Sequence, residues 1–265
     1  MKTINTLRKV SLATLLTFVL SFSSVFAQND TMYVMKNGTV VGQYNVNTEV
    51  DSVIFYKPTL EGNNPNITYG SITDIDGNTY KTVTIGTQTW MAENLKVTKY
   101  NDGIAIPNVT DNTAWRELTT GALCDYDNTP SNSETYGKLY NWHAVNTGKL
   151  CPTGWHVPSD AEWTELTDYL GGTSDAGGKL KETGTTHWNS PNTGATNETG
   201  FTALPGGYRN FDGTFYGVGT YGFWWSATEG SADSAWGRSM YYNGSYVGRD
   251  YNGKELGFSV RCLRD

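Results

Sequence analysis

Charge, histidine and cysteine are all scarce in this chain. Lys, Arg, Asp and Glu make up 17% of its 265 residues, and it has only 3 His and 3 Cys. The 19 basic side chains form no cluster and are outnumbered by 26 acidic ones. Phosphate backbones are held by grouped Lys and Arg, so nucleic acid is excluded as a partner. No two cysteines stand at ligand spacing, and His143, His156 and His187 make no HxxxH or HExxH pattern, so neither a metal nor another cofactor is expected. A nucleophile elbow, a phosphate-binding glycine loop and a metal triad are all missing. The expectation is therefore a protein that is not an enzyme, although a glycosidase would need only two placed carboxylates.

Lys2, Arg8 and Lys9 precede an apolar run from Val10 to Leu20, and Val25-Phe26-Ala27 follow before Gln28. This is the order of a cleavable export signal, residues 1–27, with cleavage after Ala27. The run is shorter than the about 20 apolar residues of a membrane helix, and no later segment approaches that length, so no transmembrane segment is expected. Gln28 stands where a lipoprotein would carry Cys. Export would leave 16 basic against 26 acidic residues. It would also place Cys124, Cys151 and Cys262 where one disulfide can form, in any of three pairings.

Residues 28–58 read as a small β-meander: Met32 to Lys36, a turn at Asn37-Gly38, Thr39 to Val46, and a further strand from Val50 to Tyr56. Pro58 and the Asn- and Pro-rich stretch after it mark a linker at 59–70, with one larger domain over 71–265. Asp74, Asp76 and Asn78 alternate as in a calcium loop, but the later ligands are missing. A tight turn at Asp76-Gly77 is the expected reading. Ser159 and Glu162 form a capping box ahead of Trp163, Leu166 and Leu170, and Gly171-Gly172 ends that helix. A second helix is expected over Tyr136–Val145, with His143 as a packed, hydrogen-bonded histidine.

The C-terminal third reads as hairpins. Asp212-Gly213 joins Tyr208–Phe211 to Thr214–Val218, and Asn243-Gly244 joins Trp236–Tyr242 to Ser245–Tyr251. A two-residue turn at the second sets Tyr241 opposite Tyr246, Met240 opposite Val247 and Arg238 opposite Arg249. Trp236, Arg238, Met240, Val247, Arg249 and Tyr251 then share one face. Ser239, Tyr241, Tyr246 and Asp250 share the other, expected to face solvent. Two arginines directly across a ladder repel, so an internal carboxylate or a bound anion must lie between them.

Several motifs in order carry a family resemblance: Asp74–Tyr80, Thr89–Leu95, Tyr136–Trp142, Gly154–Trp163, Trp224–Glu229 and Gly257–Cys262. Over about Thr73 to Asp265 the chain resembles the Fibrobacter succinogenes major paralogous domain family, FISUMP. That family resembles in turn the C-type-lectin-like fold of the formylglycine-generating enzyme group. The resemblance implies an α+β domain, with two helices on a twisted, mostly antiparallel sheet whose first and last strands pair. With the last strand central, it also points to a Cys124–Cys262 disulfide, Cys151 being the competitor. The late cysteine pair of the oxidase is missing between Trp236 and Leu256, so formylglycine generation is not implied. Residues 28–58 resemble a short β module found ahead of exported bacterial proteins.

The function expected from these residues is an exported binding or adhesion protein of the periplasm, cell surface or exterior, with a glycan or a surface protein as ligand. Segment 205–251 interleaves Trp, Tyr, Asn, Arg and Ser with Gly, combining rigid apolar contact with hydrogen-bonding tips. Tyr221, Tyr241, Tyr246 and Asp250 are the candidate ligand-binding residues. A structural role in a surface assembly is the alternative.

Overall fold

A computed structural model describes residues 67–265 continuously and, before them, three strands at 22–26, 31–36 and 39–45. The chain divides into two compact units, Met1–Pro58 and Thr59–Asp265. In the first, β1 (Phe22–Phe26), β2 (Thr31–Lys36) and β3 (Thr39–Asn45) form an antiparallel sheet in chain order. Lys36 faces Thr39, and the Asn37-Gly38 turn expected between them lies outside the described residues. Cleavage after Ala27 would remove β1 and leave the β2–β3 hairpin. The strand expected at Val50–Tyr56 and most of the linker lie outside the described residues.

The second unit is α+β. One sheet has the order β4-β5-β6-β15-β9, built from β4 (Gly70–Thr73), β5 (Thr79–Ile85), β6 (Gln88–Met91), β15 (Leu263–Arg264) and β9 (Trp155–His156). The other runs β11-β10-β12-β13-β14: Phe215–Val218, Gly206–Arg209, Tyr221–Glu229, Ser234–Tyr241 and Gly248–Gly253. A small pair, β7 (Leu123–Cys124) and β8 (Leu139–Tyr140), completes the strands. The last strand is interior as expected, but its partners are β6 and β9 rather than the first strand of the unit. Adjacent residues on one strand face opposite clusters: Trp224 and Trp90 point into one core, Trp225 and Met91 into the other. Period-two alternation thus packs a tryptophan-rich core on each face of β6 and β12.

Of the helices α1 (Asn112–Arg116), α2 (Pro130–Tyr136), α3 (Trp142–Val145), α4 (Asp160–Tyr169) and α5 (Thr173–Leu180), α3 packs into the cluster of Trp225 and Met91, and α4 and α5 into that of Trp224 and Trp90. The α4 capping box forms as read from the sequence, with Trp163 and Leu166 buried beneath it. The single helix expected over 136–145 does not form. Gly137, at φ 76°, ends α2 where a Cβ would lie 2.7 Å from Asn94 Cβ, and the chain continues as β8 before α3 begins. His143 is half-buried and makes no hydrogen bond among the described residues. Burial, and then the charge of Lys254, lower its pKa.

The Asp76-Gly77 segment is a closed turn. Asp74 accepts hydrogen bonds from the Asp76 and Asn78 amides, Asn78 Nδ2 and the Tyr80 hydroxyl, while Asp76 accepts from Thr98 and pairs with Lys99. Both carboxylates are engaged by protein donors.

The disulfide is Cys151–Cys262, with a Cα separation of 5.9 Å, and not Cys124–Cys262. Cys151 and Cys262 face the same core. Cys124 instead points from β7 into a separate cluster with Trp115, Tyr126 and Leu139, where burial pushes its thiol up to about 12.

Candidate functional site

A hairpin forms around Asp212-Gly213, but Tyr208 faces Tyr216 and Asn210 bonds Thr214, so the connection is one residue longer than the expected two-residue turn. In the second hairpin Arg238 faces Arg249, the register read from the sequence, but paired strand ends at Ser239–Gly248. Residues 240–247 do not close as a two-residue turn because the rest of the fold takes their backbone groups. Tyr242 N–H donates to Thr220 O, Val247 N–H to Thr173 O, and Ser245 O accepts from Gly178.

Lys181 completes that capture. Its buried ammonium donates to Tyr241 O at 2.9 Å, Gly244 O at 2.8 Å and Thr193 O at 3.0 Å, with the Trp188 ring 5.2 Å away. Burial pulls its pKa down to about 8, so at neutral pH it is a charged clamp on the turn. Helix α5 can approach because Gly177 has no side chain; a Cβ there would lie 2.4 Å from Tyr246 O.

The predicted carboxylate between the two arginines is Asp160, at the start of α4. Its Oδ1 is 2.7 Å from Arg238 Nη1 and its Oδ2 2.7 Å from Arg249 Nη2. On this face Arg238, Met240 and Val247 are buried, whereas Tyr251 is exposed. The Arg249 guanidinium lies 3.6 Å from the Trp236 ring centroid.

The opposite face carries the candidate site. Tyr216, Tyr208, Phe223, Tyr221, Tyr241 and Tyr246 form a connected row across β11, β10, β12 and the end of β13. Successive ring centroids are 5.8 Å (Tyr216–Tyr208), 5.0 Å (Tyr208–Phe223), 6.1 Å (Phe223–Tyr221), 5.1 Å (Tyr221–Tyr241) and 5.3 Å (Tyr241–Tyr246) apart. Phe258 packs beneath, stacked on Phe223 at 4.9 Å. Tyr216 and Tyr246, at the two ends, are 46% and 44% exposed, and the rings between them are half-buried, so the row is open along its length. Gly217, at φ 82°, lies under Tyr221, whose ring would be 2.3 Å from any Cβ there.

Tyr221, Tyr241 and Tyr246 therefore come together, and exposed Asp250 lies on the same face of β14. Burial, then Tyr241 and Asp250, raise the Tyr246 pKa; burial, then neighbouring tyrosines, raise that of Tyr208. Both phenols stay protonated and can donate hydrogen bonds. Ser239, expected on the solvent side, is buried beneath this face, and its hydroxyl has no partner among the described residues. Sequence reasoning missed Tyr208, Tyr216, Phe223 and Lys181. Alternation from Tyr221 could have found Phe223, whereas a two-residue turn at Asp212-Gly213 sets Tyr208 against Gly217, so no local signal marks Tyr208 and Tyr216. Nothing local marks Lys181.

Among the described residues there is no group of His, Cys, Asp and Glu able to hold a metal ion, and no helix long and apolar enough to cross a membrane. Residues 83–264 match the model of the Fibrobacter succinogenes major domain. No curated protein and no solved structure matches the chain.

Proposed function

We propose, for a chain that belongs to the Fibrobacter succinogenes major domain family, the role of an exported, non-catalytic binding or adhesion protein that takes a glycan on the aromatic face of its second sheet. The observation that carries this reading is the continuous row of rings from Tyr216 to Tyr246, flanked by Asp250. Ring faces offer rigid contact to the C–H surfaces of a sugar, while phenols and a carboxylate meet its hydroxyls. We read the fold as C-type-lectin-like on the strength of the interior last strand and of α4 and α5 beside the sheets. The intramolecular disulfide is consistent with an oxidising compartment and supports the export signal at 1–27.

The test is retention of the purified exported chain on a glycan array and on isolated cell-wall polysaccharide, beside a Tyr241→Ala/Tyr246→Ala variant whose fold is checked by circular dichroism. Specific retention that the variant loses supports the reading. Retention unchanged by the variant rejects this face, and no retention on any polysaccharide favours a protein partner.

A further inference from the structure

A second concave surface lies apart from the aromatic row and shares no residue with it. It is a cleft of about 430 Å³, within the size range of small-molecule sites. Its wall combines Lys81, Lys96 and Arg261 with Glu93, Glu134 and Glu182. These charges balance in number; Glu182 and Glu93 are held by protein donors, and the Glu134 carboxylate makes no bond among the described residues. Glu182 is bonded to His187 Nδ1 at 2.8 Å, and Glu93 Oε2 accepts the Lys81 amide at 2.6 Å. None of the three cations forms a salt bridge among the described residues. Lys96 donates to the backbone carbonyl of Glu134, and Lys81 Nζ stands 5.4 Å from the Tyr69 ring centroid.

Arg261 is fully buried, and its acceptors are all neutral: Asn94 Oδ1 at 2.8 Å, Thr202 O at 2.8 Å and Phe201 O. Glu93 favours the charged guanidinium through space but makes no salt bridge to it, and a buried cation without a direct ionic partner is costly, which a bound anion relieves. Thr183 adds a polar group. It is 7% exposed and lines the cleft, and its hydroxyl has no hydrogen-bond partner among the described residues.

We infer that this cleft binds a small hydroxylated carboxylate of the sugar-acid class, its carboxylate near Lys81 and Arg261 and its hydroxyls toward Thr183 and the free oxygen of Glu93. A single negative charge suits the site better than a phosphate, because the three glutamates repel a dianion. Tyr69, Ala92 and Leu204 share the wall with threonine, asparagine and charged side chains, a mixture that offers ring C–H faces and hydroxyls more partners than an alkyl chain would use. This inference does not depend on the aromatic-face reading.

Saturation-transfer NMR on the full chain tests it, with sodium glucuronate and galacturonate as probes against glucose, galactose and inorganic phosphate. The expected result is saturable binding of at least one uronate, weakened by added salt and absent for the neutral sugars. Lys81→Met, at an exposed position, and the near-isosteric Thr183→Val should each weaken it about tenfold or more, the scale of one charge-assisted or buried hydrogen bond. Tyr241→Ala/Tyr246→Ala should leave it unchanged. No saturation up to the solubility limit, equal binding of glucose, tighter binding of phosphate, or indifference to both cleft variants would each overturn the inference.

Discussion

Replacing Cys151 and Cys262 together by Ala removes a cross-link between residues 111 apart in sequence. In the chain-entropy account a loop of that length confines the unfolded ensemble by about 16 cal/mol/K, or about 4.8 kcal/mol at 25 °C. Residual structure in the unfolded chain reduces the effect, so a loss of about 3–5 kcal/mol is expected, a large share of the stability of a single domain. Urea unfolding of oxidised parent and variant measures it. The variant should also show a larger denaturant slope, since its unfolded chain is no longer looped and exposes more surface. The same assignment leaves one thiol, Cys124, which is buried and whose pKa is pushed up to about 12. Iodoacetamide should leave the folded oxidised protein unmodified and label one cysteine once it is unfolded. A mapped disulfide containing Cys124, rapid labelling of the folded protein, or a double variant within about 1 kcal/mol of the parent would refute the reasoning.

Asp160→Asn leaves Arg238 buried without its counter-ion and should cost about 3 kcal/mol by thermal or urea unfolding, whereas Arg249→Gln, at the exposed arm, should cost under about 1 kcal/mol. Burial pushes the Asp160 pKa up, but the hydrogen bonds from Arg249 and Arg238 outweigh it and lower the value below 3.8. Its contribution is therefore full above the ordinary carboxylate range and lost as pH falls through the lowered folded value, so the parent should show a steeper acid limb than Asp160→Asn. For His156, burial lowers the pKa, and hydrogen bonds to Asp265 and Glu162 outweigh it to raise the value above 6.5. That contribution is complete below pH 6.5 and disappears as pH rises through the raised folded value. The Tm gap between parent and His156→Gln should narrow over that rise, and a gap independent of pH would count against the bridge.

Much of the second hairpin was legible because it is local. Asn243-Gly244 indicated the connection, and alternation then put Arg238 opposite Arg249, from which an intervening carboxylate followed by repulsion alone. That the carboxylate is Asp160, some 78 positions earlier, depends on where α4 docks. The same limit explains the helix misplaced over 136–145: Leu139, Trp142 and His143 have helical spacing, but Gly137 must pass close to Asn94, and Tyr140 exchanges backbone hydrogen bonds with Phe258. The candidate face was half visible. Tyr221, Tyr241 and Tyr246 could be named from composition and alternation, whereas Tyr208 and Tyr216 join them only because β10 lies beside β12.

The sequence by itself determined the features that rest on a few neighbouring residues: the Ser159–Glu162 cap, the turn at Asp76-Gly77, the acidic balance and the ordered motifs of the family. Each reflects a backbone geometry or charge that acts within a turn or two of chain. Tertiary structure alone decided which cysteines pair, where Lys181 clamps the 241–244 turn and which cations face the cleft. Those outcomes depend on contacts between residues tens to more than a hundred positions apart, which packing selects and no local pattern encodes.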